Sequence, residues 1–224
     1  VDVLDIDNAD VLAQQVAKLE RTRAARDDVA VKRALEALTD GVFAIAMTLL
    51  VLGLDLPALP EGADGPQVTG ALLELFLPLA KYALSFFLLG AFWVLHVRQG
   101  HFILRVDQTF LWLGMGSLLL ITLVPFSTSL VSDFPGKNAS EAFFHLNILG
   151  ISGLFALQWI HATRNRRLVS PDLPEEAVER DVRLNLVIPV LAVMGLVTIP
   201  LGDFDNNLLY FGAPFLFLLM RRFC

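Results

Sequence analysis

The chain has 224 residues, of which 55% are hydrophobic and 18% charged, and its formal net charge is −6. Its mean hydropathy of +0.63 excludes an ordinary water-soluble domain and places the chain among polytopic membrane proteins. The single cysteine, Cys224, excludes a disulfide framework within one chain and any multi-cysteine metal site.

Residues 1–8, VDVLDIDN, are acidic and are expected to be loose. Residues 9–32 read as an amphipathic helix outside the membrane: Leu12, Val16 and Leu19 keep helical spacing, and Lys18, Arg21, Arg23 and Arg26 cover the remaining surface. This charged start has no apolar core, so no cleavable signal peptide is expected, and 1–34 is assigned as a cytoplasmic N-terminal segment.

The first span is expected at about 35–55. From Gly41 to Leu54 there is no charge, and Thr48 is the only polar side chain. That run reaches about 21 Å as a helix against about 30 Å of bilayer core, so Glu36, Thr39 and Asp40 must be drawn in. A carboxylate within a span costs about 2.5–3.5 kcal/mol on insertion scales. Asp40 is therefore expected either to face protein or water within the span or to sit at the interface among headgroups.

The Pro- and Gly-rich loop LPALPEGADGPQ leads to a second span within 68–97. It carries Glu74 and Lys81 on one face, with Lys81 expected to snorkel outward. The third span, 108–131, is uncharged and ends in Pro125-Phe126-Ser127-Thr128-Ser129, where hydroxyls are expected to help satisfy backbone freed by the proline. The fourth, about 141–161, contains His145, Asn147 and Gln158. In the connector 162–182, Asp172 is expected to cap a helix with Glu175 three residues on. The fifth and sixth spans are expected at about 183–201 and 206–220, giving an all-α, six-helix transmembrane domain over 35–222. With both termini cytoplasmic, every one of the 17 basic residues except Lys81 and Lys137 lies on the inner side, as the positive-inside rule requires.

The first span reads EALTDGVFAIAMTLLVL; the second ends in Phe92-Trp93 with His96; the third ends in Leu123-Val124-Pro125-Phe126-Ser127-Thr128-Ser129-Leu130. Together these segments resemble the transmembrane protein 175 family of potassium channels, whose members carry R-x-x-x-F-S-D before a GVFAIA-T-LL run, an FW-x-x-H pattern and an LPFSTSL segment. Here Leu38-Thr39 stands for Phe-Ser and Asp40 matches the aspartate. Arg33 lies one position upstream of the family's arginine, whose place is taken by Ala34, and Gly114 stands where an asparagine is expected soon after Trp112.

The resemblance implies a potassium-preferring cation channel lined by the first helix, with Ile45 as the narrowest ring and Leu49 and Leu52 along the same face. Thr48 would contribute to selectivity, and potassium would pass transiently near Ile45 and Thr48 with no tight metal site. Arg33, Leu38, Thr39, Asp40, Trp93 and His96 would form a cluster supporting the pore helix, with Asp40 buried and hydrogen-bonded to a group of the second or third helix, His96 its first-choice partner, and Arg33 near the cluster or near the C-terminal residues of a neighbouring helix. One six-helix unit offers one lining helix, so a homotetramer with a hydrophobic gate in a prokaryotic plasma membrane is implied. No TVGYG-type filter occurs. No cofactor, nucleic acid or small-molecule substrate is expected. The alternative is a proton-coupled secondary transporter with Asp40 and His96 as the titrating pair; against it, no second copy of LTDGVFAIA marks a repeated half. An enzyme is not expected, since neither GxSG nor HExxH is present.

Overall fold

Helix α1 (Val3–Leu49) runs for 47 residues, about 70 Å, because neither glycine nor proline interrupts the sequence before Gly41. Residues 3–8 are therefore helical rather than loose. The part of this helix apolar enough to cross a membrane runs from Arg26 through the tighter 3-10 turn Leu50–Gly53. The computed structural model describes residues 3–55, 57, 59–201, 210 and 212.

Helix α2 (Gly65–Glu74) opens with a reciprocal cap: Gln67 N–H donates to Asp64 Oδ1 at 2.9 Å, and Gln67 Oε1 accepts from the Asp64 amide at 3.0 Å. It breaks at Leu75 before α3 (Phe76–Gly100), because Pro78 has no amide to offer the Glu74 carbonyl. The same chemistry divides the third span at Leu123 into α4 (Gln108–Thr122) and α5 (Val124–Asp133), two residues before Pro125. Ser127 and Thr128 hydroxyls donate to the Val124 carbonyl at 3.0 and 2.9 Å, not to that of Ile121, which the proline deprives of its amide partner.

Helices α6 (Asn138–Thr163) and α7 (Glu175–Thr198) follow. Asp172 does not cap α7; the cap position is Pro174, and the Asp172 amide instead donates to Ser170 Oγ at 3.3 Å. Leu173 is buried, and a residue preceding proline is held away from helical angles, so the helix starts only after Pro174. Five stretches among the described residues are long and apolar enough to cross a membrane: Arg26–Gly53, Gly65–Gly100, Gln108–Asp133, Asn138–Arg166 and Glu175–Thr198. The expected sixth span, 206–220, lies outside the described residues except for Tyr210 and Gly212.

Two apolar clusters hold the bundle. The larger joins Phe43, Leu89, Phe92, Ile121, Ile148 and Ile188, so every described span contributes to it. The smaller gathers Leu35, Ile103, Phe110, Trp159, Leu168 and Leu173 at the end where the 101–107 and 164–174 connections meet. There Leu104 N–H donates to the Leu168 carbonyl at 2.8 Å, beside an isolated bridge between Ile103 and Val169. This end carries Arg105, Arg164, Arg166 and Arg167, and is called the basic end below. Lys81, far from it, does not snorkel: it is buried, and its Nζ donates to the Val131 carbonyl at 3.3 Å in the last turn of α5, where a cation meets the negative end of the helix dipole.

Gly195 of α7 faces the buried ring of His145 on α6, whose Nδ1 is 2.9 Å from the Tyr210 hydroxyl. A Cβ at this position would collide with the imidazole, so Gly195→Ala is expected to destabilise the fold by about 1–3 kcal/mol through overpacking. Val193→Ala, on an exposed face, is expected to leave the thermal midpoint in detergent unchanged. Thermal unfolding followed by tryptophan fluorescence checks both.

Candidate ion pathway

The transmembrane part of α1 has two unlike faces. Leu35, Thr39, Phe43, Ala46 and Leu50 recur every three or four residues and are buried in the core. Ile45 is 60% exposed, Leu49 43% and Leu52 74%, with Thr48 exposed between them. The residues expected to line a pore therefore share the side of α1 left uncovered among the described residues. Leu38 lies on this open side too, 47% exposed in the single chain.

Thr48 Oγ1 donates to the Ile45 carbonyl at 2.8 Å. Its proton is thereby committed to the helix, and its oxygen keeps acceptor capacity. Thr39 is turned the other way: it is buried and donates to the Leu35 carbonyl at 2.8 Å. Asp40 is exposed in the single chain rather than buried, and accepts from Trp93 Nε1 of α3 at 2.8 Å. Its hydrogen-bond partner is thus the indole and not His96. The His96 ring meets Phe155 edge-on, 6.2 Å between centroids, and lines a small cleft with Lys32, Glu36 and Gln99. Arg33 is exposed; Lys32, its neighbour, reaches the end of α3 instead, donating to the Gly100 carbonyl at 2.9 Å and pairing with Glu36 at 3.4 Å.

Several polar ties at the basic end escape sequence reasoning. Arg98 of α3 is ion-paired and hydrogen-bonded to Asp181 of α7, a carboxylate buried in the bundle, with Arg180 Nε 3.7 Å away. Gln158 Nε2 of α6 donates to the Phe110 carbonyl at 3.0 Å, close against Gly114, where a Cβ would stand 3.1 Å from that nitrogen. Asp107 accepts from the Phe110 amide at 2.8 Å as the cap of α4, and also faces His161 Nε2 at 3.0 and 2.8 Å. Of these, the Asp107 cap alone carries a local signal, an aspartate placed just before an apolar helical run. No group of three metal-ligating side chains occurs among the described residues.

The family model for the endosomal/lysosomal potassium channel TMEM175 matches residues 34–125. A potassium channel of Streptomyces collinus is 30% identical over 190 residues, covering 80% of this chain and 90% of the relative. The chain belongs to the TMEM175 family. The family match takes in the LTDGVFAIA run, Phe92-Trp93 with His96, and the third span as far as Pro125. The fold agrees with the crystal structure of a lysosomal potassium-selective channel TMEM175 homolog from Chamaesiphon minutus, with TM-score 0.67 and 26% identity over 87% of this chain and 96% of that one. A short stretch of 38 residues is 63% identical to methylmalonyl-CoA mutase of Escherichia coli; it covers 5% of that enzyme, too little to carry its fold or chemistry. TMEM175 proteins are channels, not enzymes.

Burial pushes the Asp107 carboxyl up, but the Phe110 amide, the hydrogen bond and charge of His161, and the charge of Arg167 together hold it below the usual carboxylate range. A carboxyl lowered in the folded state stabilises above its unfolded value, about 4, and loses that stabilisation as pH falls through the folded value. Asp107→Asn is therefore expected to lower the thermal midpoint at pH 7 and to converge on the parent protein in acid. Midpoints in detergent between pH 7 and pH 3 measure this; parallel curves for the two proteins would contradict it.

Proposed function

We propose that the chain is one subunit of a potassium-preferring cation channel in which four copies bring the open face of α1 together around an axis. The observation carrying this reading is that Ile45, Thr48, Leu49 and Leu52 form one uncovered stripe on a helix whose opposite face fills the core. The Streptomyces relative is itself named a potassium channel, and the Chamaesiphon homolog a potassium-selective one. The charge distribution supports a cytoplasmic basic end in a plasma membrane, with the N-terminal part of α1 projecting into the cytoplasm.

In this reading Ile45 forms the neck. Four isoleucine side chains offer no oxygen to replace an ion's water, so the barrier depends on ring width and wetting. Potassium gives up water more readily than sodium, and the Thr48 oxygens, free to accept, compensate part of that loss one turn on. Asp40 with Trp93 seats α1 on α3, while Thr39 and His96 support it from the buried side. Potassium is the permeating ion, and no cofactor is required. The carrier reading needs Asp40 and His96 as a titrating pair, whereas the hydrogen-bond partner of Asp40 is an indole.

Current and reversal potential in proteoliposomes under potassium and sodium gradients test this directly. Ile45→Asn is expected to raise current severalfold and erode potassium preference. Thr48→Ala is expected to lower selectivity with less effect on current, and Leu52→Ala to do less than either. Wild-type current and reversal potential in Ile45→Asn would overturn the assignment of the pore face.

A further inference from the structure

Two hydrogen bonds tie side chains of α1 to α3: Trp93 to Asp40, and Lys32 to the Gly100 carbonyl. Their anchor points lie about 12 Å apart along α1 and about 10.5 Å apart along α3, as an antiparallel pair requires. The Gly100 carbonyl belongs to the last turn of α3, where carbonyls lack intrahelical partners and the helix dipole is negative. That carbonyl accepts from the Ile103 amide at 3.3 Å, and the Lys32 ammonium adds a second, charged donor at the negative end of the dipole. Glu36 braces it from one turn on, and the bare Cα of Gly100 leaves room for them: a Cβ there would stand 3.2 Å from Glu36 Oε1. At the far end, Gly53 packs so closely on Ser129 that a Cβ would collide with its hydroxyl. At the basic end Leu35 is buried in the smaller apolar cluster, and the turn of α1 before it is held through the flexible Lys32 side chain, which is 22% exposed.

We propose that Lys32 is a positioning residue for conduction: its bond to Gly100 sets the tilt of α1, and through it the width of the ring at Ile45, without touching the ion. This rests on the pore reading above. Without the bond, Asp40–Trp93 is the one side-chain hydrogen bond left between α1 and α3 among the described residues; Leu35 stays packed, the turn before it shifts, and the four Ile45 side chains no longer meet in one register. Lys32→Met removes the donor and keeps the aliphatic stem; Lys32→Arg keeps a cationic donor of similar reach.

Single-channel recording of the purified full-length protein separates the possibilities. Lys32→Met is expected to lower open probability about three- to tenfold, the scale of one lost hydrogen bond at a part-exposed site, while the potassium–sodium reversal potential stays at the parent value. Lys32→Arg is expected to restore open probability. In an Ile45→Asn background, where the ring is wet at any tilt, Lys32→Met is expected to have no effect. If Lys32→Met gates like the parent while Ile45→Asn raises current, the positioning role is overturned and the pore reading stands. If Ile45→Asn alone is silent, the pore reading fails and the positioning role with it. A Lys32→Arg channel as defective as Lys32→Met, or an undiminished Lys32→Met effect on the Ile45→Asn background, also overturns the proposal.

Discussion

Ala46 is almost wholly buried, whereas Ile45, its neighbour in sequence, is 60% exposed. That one-residue reversal recurs along the membrane part of α1 and constrains the rest of the structure. The buried stripe from Leu35 to Leu50 supplies core to α3, α4, α5 and α6, so α1 cannot rotate to hide its other face. Within a membrane that face meets lipid or another copy, and no hydrophobic driving force favours either. Packing decides instead. Ala34, Ala37, Gly41 and Ala44 are also exposed on α1, and small side chains let helix backbones approach closely.

The polar groups are arranged so that this apolar helix can be held without charges in the middle of the bundle. At the basic end, Lys32 joins α1 to α3, Arg98 joins α3 to α7, and His161 joins α6 to the cap of α4. The Arg98–Asp181 pair is the most deeply buried of these on the carboxylate side. Removing one partner of such a pair typically costs about 3–5 kcal/mol, because a charge is left unmatched, although the pair as a whole adds little net stability. Its consequence is fixed registry between the second and fifth spans. Lys81 does the same at the opposite end by meeting the last turn of α5.

Apolar runs and prolines carried much of the fold. Pro125 stands out at the end of the third span and breaks it there; Pro78 breaks the second span in the same way, and Asp64 caps α2 with Gln67, inside stretches that read only as an apolar span and a loop. The two faces of α1 follow from 3.6-residue periodicity, but periodicity alone does not say which face is core. What stayed hidden depends on partners distant in sequence. Lys81 reads as a surface cation because nothing local reveals the Val131 carbonyl fifty residues away. Arg98 and Asp181 lie 83 residues apart, and Asp181 falls in a stretch that looks like a charged connector until Pro174 is seen to start a helix there. Asp40 announces itself by the cost of its charge, yet the indole and the imidazole offered by one turn of α3 are equally spaced for it in sequence terms. Only the geometry distinguishes Trp93 from His96.

Which face of α1 meets the permeating ion is open to direct measurement. Silver ions follow potassium through pores and bind thiolate irreversibly, so cysteines placed along α1 in a Cys224→Ser background report the path. Current through Ile45→Cys and Leu52→Cys channels should be blocked by silver, while Ala46→Cys, on the core face, should conduct unchanged. Block of Ala46→Cys with Ile45→Cys untouched would contradict the pathway assigned here.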